Sequence, residues 1–116
     1  MVNLLEAMKS LGDATRFRIL EVLLAHPSCV TSLAKHLDVS ESAVSQHLKI
    51  LREAGLVRGE KKGYWTHYSV NRNALRQISH ELERIASEPE HSCCRCGDSP
   101  VDHDDNQSRK ELCEDV

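Results

Sequence analysis

No stretch of this chain approaches the ~20 consecutive apolar residues of a membrane-spanning helix, which excludes such a segment. The opening MVNLLEAMKS lacks the basic start, apolar run and small-residue cleavage site of a secretory leader. The cytosol is therefore the expected compartment. There, the five cysteines (29, 93, 94, 96 and 113) read as thiols or metal ligands rather than a disulfide framework. A cationic excess is missing too, since the formal net charge is −3. That total hides a split: residues 1–87 hold 12 Lys+Arg against 9 Asp+Glu, whereas residues 88–116 hold 3 against 9. A mildly basic body precedes an acidic tail, and a basic body suits a polyanion only where its charge is clustered.

What is present, in 116 residues, is room for one small domain. A domain of this size buries a modest share of its surface, so pairing with a second copy would add stability. Leu4, Leu5, Met8 and Leu11 recur at helical spacing up to Gly12. Asp13 caps a second helix that runs to about His26, ahead of Pro27. Its apolar residues (Phe17, Ile19, Leu20, Val22, Leu23, Leu24) make too wide a stripe for one buried face, which places it centrally. A short third helix turns Leu33, Ala34 and Leu37 inward. Asp38-Val39-Ser40 then forms a three-residue turn.

The fourth helix has Ser40 as N-cap and Glu41 in its positive first turn. Val44, Leu48 and Leu51 form its core stripe and Gly55 signals its end. LVRGEKKGYWTHYSV, residues 56–70, reads as two strands around a Lys-Lys-Gly tip, with Tyr64, Thr66, Tyr68 and Val70 at period two. Asn71 opens a last helix on which Leu75, Ile78, Leu82 and Ile85 repeat. After Pro89 the periodicity stops, and the polar, acidic remainder is expected to be disordered or ordered by a ligand. Two units follow: residues 1–87 and the cysteine-containing tail, 88–116.

Two helices joined by a short turn and followed by a hairpin fit a winged helix-turn-helix, a mainly α fold with a small β-hairpin. With Val44, Leu48 and Leu51 inward, Ser42, Ser45, Gln46 and Lys49 share the opposite face. Polar exposed faces are common, but this one follows a short turn and precedes a basic hairpin. Hydroxyls and an amide can approach base edges in the major groove, Gln being suited to adenine and Lys to guanine. Ser40 and the helix N-terminus can meet a phosphate. Arg58, Lys61 and Lys62 would neutralise phosphates or enter the adjoining minor groove. His47, on the flank of the buried stripe, reads as a packing or phosphate residue. The expected partner is double-stranded operator DNA.

SLGDATRFRILEVLL, DVSESAVSQHLKILREAGLV and the closing YSV resemble the ArsR/SmtB family over about residues 3–86. The resemblance implies a small homodimeric winged-helix repressor, most members of which sense metal ions or metalloids, with the first and last helices as the dimer interface. Leu4, Leu5, Met8, Leu75, Ile78, Leu82 and Ile85 suit that role. One sensor site of the family is a Cys-x-Cys at the third helix. Here PSCVTSL keeps Cys29 and has Thr31 in place of the second thiol. Another is an Asp-x-His and His-x-x-Glu set on the last helix. The matching positions here are Arg72, Ala74, Ile85 and Glu88, so that zinc site is absent.

The remaining constellation is HSCCRCGD. Cys93, Cys94 and Cys96 can wrap one soft ion with little rearrangement. As(III) and Sb(III) take three sulfurs in a trigonal pyramid, which matches the count, and some arsenite-responsive members of the family carry a C-terminal cysteine cluster. Cd(II), Pb(II) or Zn(II) as inducer remains open. Zinc or cadmium would need a fourth ligand, which Cys29, His91, His103 or Cys113 could supply. A redox or reactive-sulfur sensor is the other reading of the same thiols. An enzyme with a nucleophilic Cys93 or Cys96 is disfavoured, because the tail has no pocket-forming elements and no phosphate-cradling glycine loop. A constitutive architectural DNA binder is a further class.

Overall fold

The computed structural model describes residues 3–91. The expectations on Cys93, Cys94, Cys96, His103 and Cys113, and on the order of the tail, fall outside them. The chain divides after Ile85 into two units.

Seven elements occur in the order α1 (Leu4–Leu11), α2 (Ala14–Ala25), α3 (Val30–Leu37), α4 (Glu41–Glu53), β1 (Val57–Lys62), β2 (Trp65–Val70) and α5 (Arg72–Ala86). Side-chain caps begin four of the helices, and at the start of α5 the Asn71 Oδ1 accepts from the Ala74 N–H at 3.3 Å. Asn3 accepts from the Glu6 N–H at 3.0 Å, Asp13 from Arg16 at 3.0 Å and Ser40 from Ala43 at 3.1 Å, each satisfying a donor that the first helical turn leaves open. The core lies between α1–α4, the base of the hairpin and the first half of α5. Ile19, Leu33, Val44, Leu48, Leu51 and Leu56 are its fully buried large side chains. In α2, Ile19, Leu20 and Leu23 are buried, whereas Phe17 is 46% exposed. The central position expected for α2 holds, but its stripe is only partly core.

The turn between α3 and α4 is made by one left-handed residue, Asp38, at φ 56° and ψ 48°. This conformation costs a residue with a Cβ about 1–2 kcal/mol, and Asp is among the few that adopt it. The Val39 N–H reaches back to the Ala34 carbonyl at 3.1 Å, closing α3 so that α4 can leave in a new direction. At the far end of α4 the cap is Ala54, and Gly55 follows it at φ 81°. Leu56 donates to Leu51 and Gly55 to Arg52, both at 2.9 Å. That is the paired-bond closure in which a glycine beyond the cap is favoured.

The hairpin differs from expectation at its tip. Lys62 pairs with Trp65, so Lys61 and Lys62 are strand residues and the loop is Gly63-Tyr64. Gly63 at φ 67° is the sole positive-φ residue of that loop, as a two-residue turn with glycine first requires. Tyr64 leaves the expected alternation and is 99% exposed. A further pairing was not visible in the sequence: Ser28 exchanges backbone bonds with Tyr68, at 3.1 and 2.8 Å. The α2–α3 loop thereby lies along β2 as an isolated bridge.

Candidate nucleic-acid interface

Helix α4 is held on three sides. Val44, Leu48 and Leu51 bury against the core, Ser40 closes its start, and the Gly55 turn closes its end. With that stripe inward, helical periodicity turns residues 42, 45, 46 and 49 outward. Ser42, Ser45, Gln46 and Lys49 are all exposed, as is Ser40. The sequence-derived reading face is therefore one continuous solvent-facing surface on a fixed helix. Ile50, 39% exposed, flanks Gln46 on the same side. Its apolarity masked it in the sequence, although an apolar side chain there suits a thymine methyl.

His47 is half-buried, and its Nδ1 lies 3.3 Å from Nη1 of Arg16. Arg16 also donates through Nε to the Ser10 carbonyl at 2.7 Å. Its backbone N–H, bonded to the Asp13 carboxylate, is the main cause holding that carboxyl below the usual value, with the Arg16 charge adding to it. Sequence reasoning missed Arg16, because nothing in a helical pattern announces a contact with a residue 31 positions away.

The basic residues of the wing divide by strand alternation. Arg58 and Lys62 share one face with Glu60, and all three line a shallow pocket with Pro27, His67 and Ser69. Lys61 projects to the other face. Lys62 and Glu60 form an ion pair at 3.5 Å, 59% and 74% exposed, so it contributes little to stability. Arg58 donates to the Asn71 side chain at 3.3 Å, which anchors it at the base of the wing. Of the three wing cations expected to meet phosphates, two thus lie on one face and one on the other.

Exposed apolar side chains gather on the outer elements. Leu5 and Met8 of α1 are 64% and 47% exposed, and Leu82 and Ile85 of α5 are 43% and 49% exposed. Leu4 and Leu75 are half-buried against the core, and Ile78 is buried in it. Only Ala74 and Ile78 of the fifteen α5 residues are buried. Arg72, at a position where the family's zinc set would need a carboxylate, instead donates to the Leu24 carbonyl at 2.9 Å.

Cys29 precedes α3 as its N-terminal cap residue and is half-buried, with Sγ 3.6 Å from the Ser32 hydroxyl. The Ser32 backbone N–H, and then its hydroxyl, lower the thiol pKa below the usual value. His91 is exposed. Among the described residues no cluster of three His, Cys, Asp or Glu side chains is placed to hold a metal ion.

A reading helix set by a short turn against a second helix, with a two-stranded wing beside it, defines a winged helix-turn-helix DNA-binding regulator. The family model described as "Bacterial regulatory protein, arsR family" matches residues 13–58. The Arsenical resistance operon repressor of Bacillus subtilis (strain 168) is 35% identical over 92 residues, covering 77% of this chain and 88% of the relative. Among solved structures, the ArsR-like transcriptional regulator from Rhodococcus sp. RHA1 matches with TM-score 0.69 and 34% identity, over 72% of this chain and 79% of that one. The homodimeric winged helix-turn-helix DNA-binding domain Mb0332 of Mycobacterium bovis shares the fold, with TM-score 0.59 at 22% identity, over 74% of this chain and 81% of its own. This chain belongs to the arsR family of bacterial regulatory proteins, and it is a transcriptional repressor rather than an enzyme. No helix among the described residues is long and apolar enough to cross a membrane.

Proposed function

We propose that the chain is a cytoplasmic, homodimeric repressor that leaves its operator when Cys93, Cys94 and Cys96 capture As(III) or Sb(III). In this reading residues 1–87 bind DNA and dimerise, and residues 88–116 carry the sensor. Ser42, Ser45, Gln46 and Lys49 read base edges. Ser40, His47, Arg58, Lys61 and Lys62 meet the backbone. Leu5, Met8, Leu82 and Ile85 pair α1 and α5 with those of a second copy, which supports two reading helices on a two-fold operator.

The observation that carries the sensor assignment is chemical: three thiols within four residues, the donor count a trivalent, sulfur-seeking ion takes. The arsenical-resistance name of the Bacillus subtilis relative supports the same class. Capture acts through its differential affinity for two dimer geometries, one of which fits DNA poorly. A tenfold loss of operator affinity requires about 1.4 kcal/mol of coupling, a small part of what a multi-thiolate site supplies.

Cys29 favours a second reading of the same fold. A thiol held partly towards thiolate by Ser32 is a suitable fourth ligand for Cd(II), Pb(II) or Zn(II), alone or with His91, and a suitable target for oxidants or reactive sulfur. Titrating the operator complex with arsenite, cadmium, zinc and peroxide separates these, using the wild type and C93S/C94S/C96S. Arsenite should release the wild type alone. Release that survives the triple change removes the tail assignment, and no release by any agent favours a constitutive DNA binder.

A further inference from the structure

We infer that Arg16 is a positioning residue for DNA binding: by donating to His47 Nδ1 it holds the imidazole in the tautomer whose Nε2–H can donate to a backbone phosphate. The inference deepens the proposed role of His47 at the DNA backbone and rests on it.

A guanidinium has donors and no acceptor, so at 3.3 Å from Arg16 Nη1 the Nδ1 of His47 must accept. A neutral imidazole that accepts at Nδ1 carries its proton on Nε2. Among the described residues nothing accepts from that Nε2. His47 is half-buried on the flank of α4, between the buried stripe and the exposed face proposed to meet the duplex.

Arg16 is itself fixed before DNA arrives. Its Nε holds the Ser10 carbonyl at 2.7 Å, at the end of α1, and its backbone N–H holds Asp13 at 3.0 Å, at the start of α2. The guanidinium therefore spans from α1 to α4, with one side of its fork on each. A lysine in its place would have a single ammonium to serve both Ser10 and His47. Pre-setting the tautomer avoids a proton relocation and a ring rotation when DNA binds. A donor already aimed at an anion forms the stronger, charge-assisted kind of hydrogen bond.

The test combines a tautomer measurement with a double-mutant cycle. Long-range ¹H–¹⁵N correlation spectra of the free wild-type protein at pH 8 should show His47 as the Nε2–H form, and a proton on Nδ1 overturns the inference without any variant. Operator affinity is then measured for R16M, H47A and the double variant, with circular dichroism and thermal melting to confirm folding. His47→Ala should weaken binding about tenfold, the size of one charge-assisted bond. Arg16→Met should weaken it by a similar factor in the wild type, and by less than twofold when His47 is already alanine. Equal losses in both backgrounds mean that Arg16 acts only by holding α1 to α2, and the inference fails. If His47→Ala leaves affinity unchanged, the placing of His47 at the DNA backbone is what fails. Should Arg16→Met not fold, Arg16→Lys replaces it in the same cycle.

Discussion

Asn71 joins the end of the reading helix to the start of the last helix: its Nδ2 donates to the Gly55 carbonyl at 3.1 Å. Its backbone N–H donates to Leu56 at 2.8 Å, and its Oδ1 accepts from the Ala74 N–H at 3.3 Å and from Arg58 at 3.3 Å. One side chain thus ties α4, the wing and α5 at a single point. Asn71→Ala removes a cap and leaves the Gly55 carbonyl short of a partner, and should cost about 1–3 kcal/mol of stability. Asn71→Asp keeps the cap and the Arg58 contact but loses the Gly55 bond, so it should fall between. Urea unfolding measures both. An unchanged midpoint for the alanine variant would mean the node carries no weight.

The dimer reading makes a separate demand. Leu82 and Ile85 are exposed in the single chain, so Leu82→Asp and Ile85→Asp should leave the fold intact. Helical circular dichroism should stay near wild type, while sedimentation velocity should show a monomer where the wild type shows a dimer. Operator affinity should fall with dimerisation. A variant pair that remains dimeric would place the interface elsewhere.

The reading face and the wing should fail in different ways. Lys62→Ala should weaken binding to all DNA sequences alike and reduce the slope of log affinity against log salt by about 0.9. Gln46→Ala should relax discrimination at one base pair by about 1–3 kcal/mol with the salt slope unchanged. Anisotropy titrations against operator and scrambled duplexes at several salt concentrations measure both. The same response from the two variants would contradict the assignment of faces.

Cys29 has its own signature. Because the Ser32 backbone N–H and hydroxyl stabilise its thiolate, the ionised form should persist to lower pH than for an unassisted thiol. In a chain with the other four cysteines changed to serine, alkylation rate against pH should show a midpoint below that of free cysteine measured alongside. Ser32→Ala should raise that midpoint. A midpoint at or above that of free cysteine, with Ser32 in place, would remove Cys29 as a poised ligand.

Helix α4 was legible in the sequence because its local signals agree: a capping serine, a core stripe at i, i+4 and i+7, and a glycine where a positive φ is required. Asp13 and Gly12 marked the α1–α2 junction for the same reason. The expected hairpin tip, Lys61 to Gly63, includes the glycine that sets the turn but begins two residues early, because lysines are common in loops. Tertiary contacts left no local trace. The Ser28–Tyr68 bridge, the Arg58–Asn71 bond and the Arg16–His47 contact join residues far apart in the chain, and each uses a side chain or backbone group that pattern reasoning treats as solvent-facing. The exposed polar face of α4 followed from periodicity alone, whereas the division of Arg58 and Lys62 from Lys61 needed the strand register.

The central claim is that sulfur-bound ion and operator favour rival geometries of one dimer. Such coupling is reciprocal: the factor by which arsenite weakens DNA binding must equal the factor by which DNA weakens arsenite binding. The most direct measurement is arsenite affinity of the dimer with and without saturating operator, followed by calorimetry. The account requires binding at least about tenfold weaker on the complex, matching the loss of operator affinity. Equal arsenite affinity in the two states would contradict it.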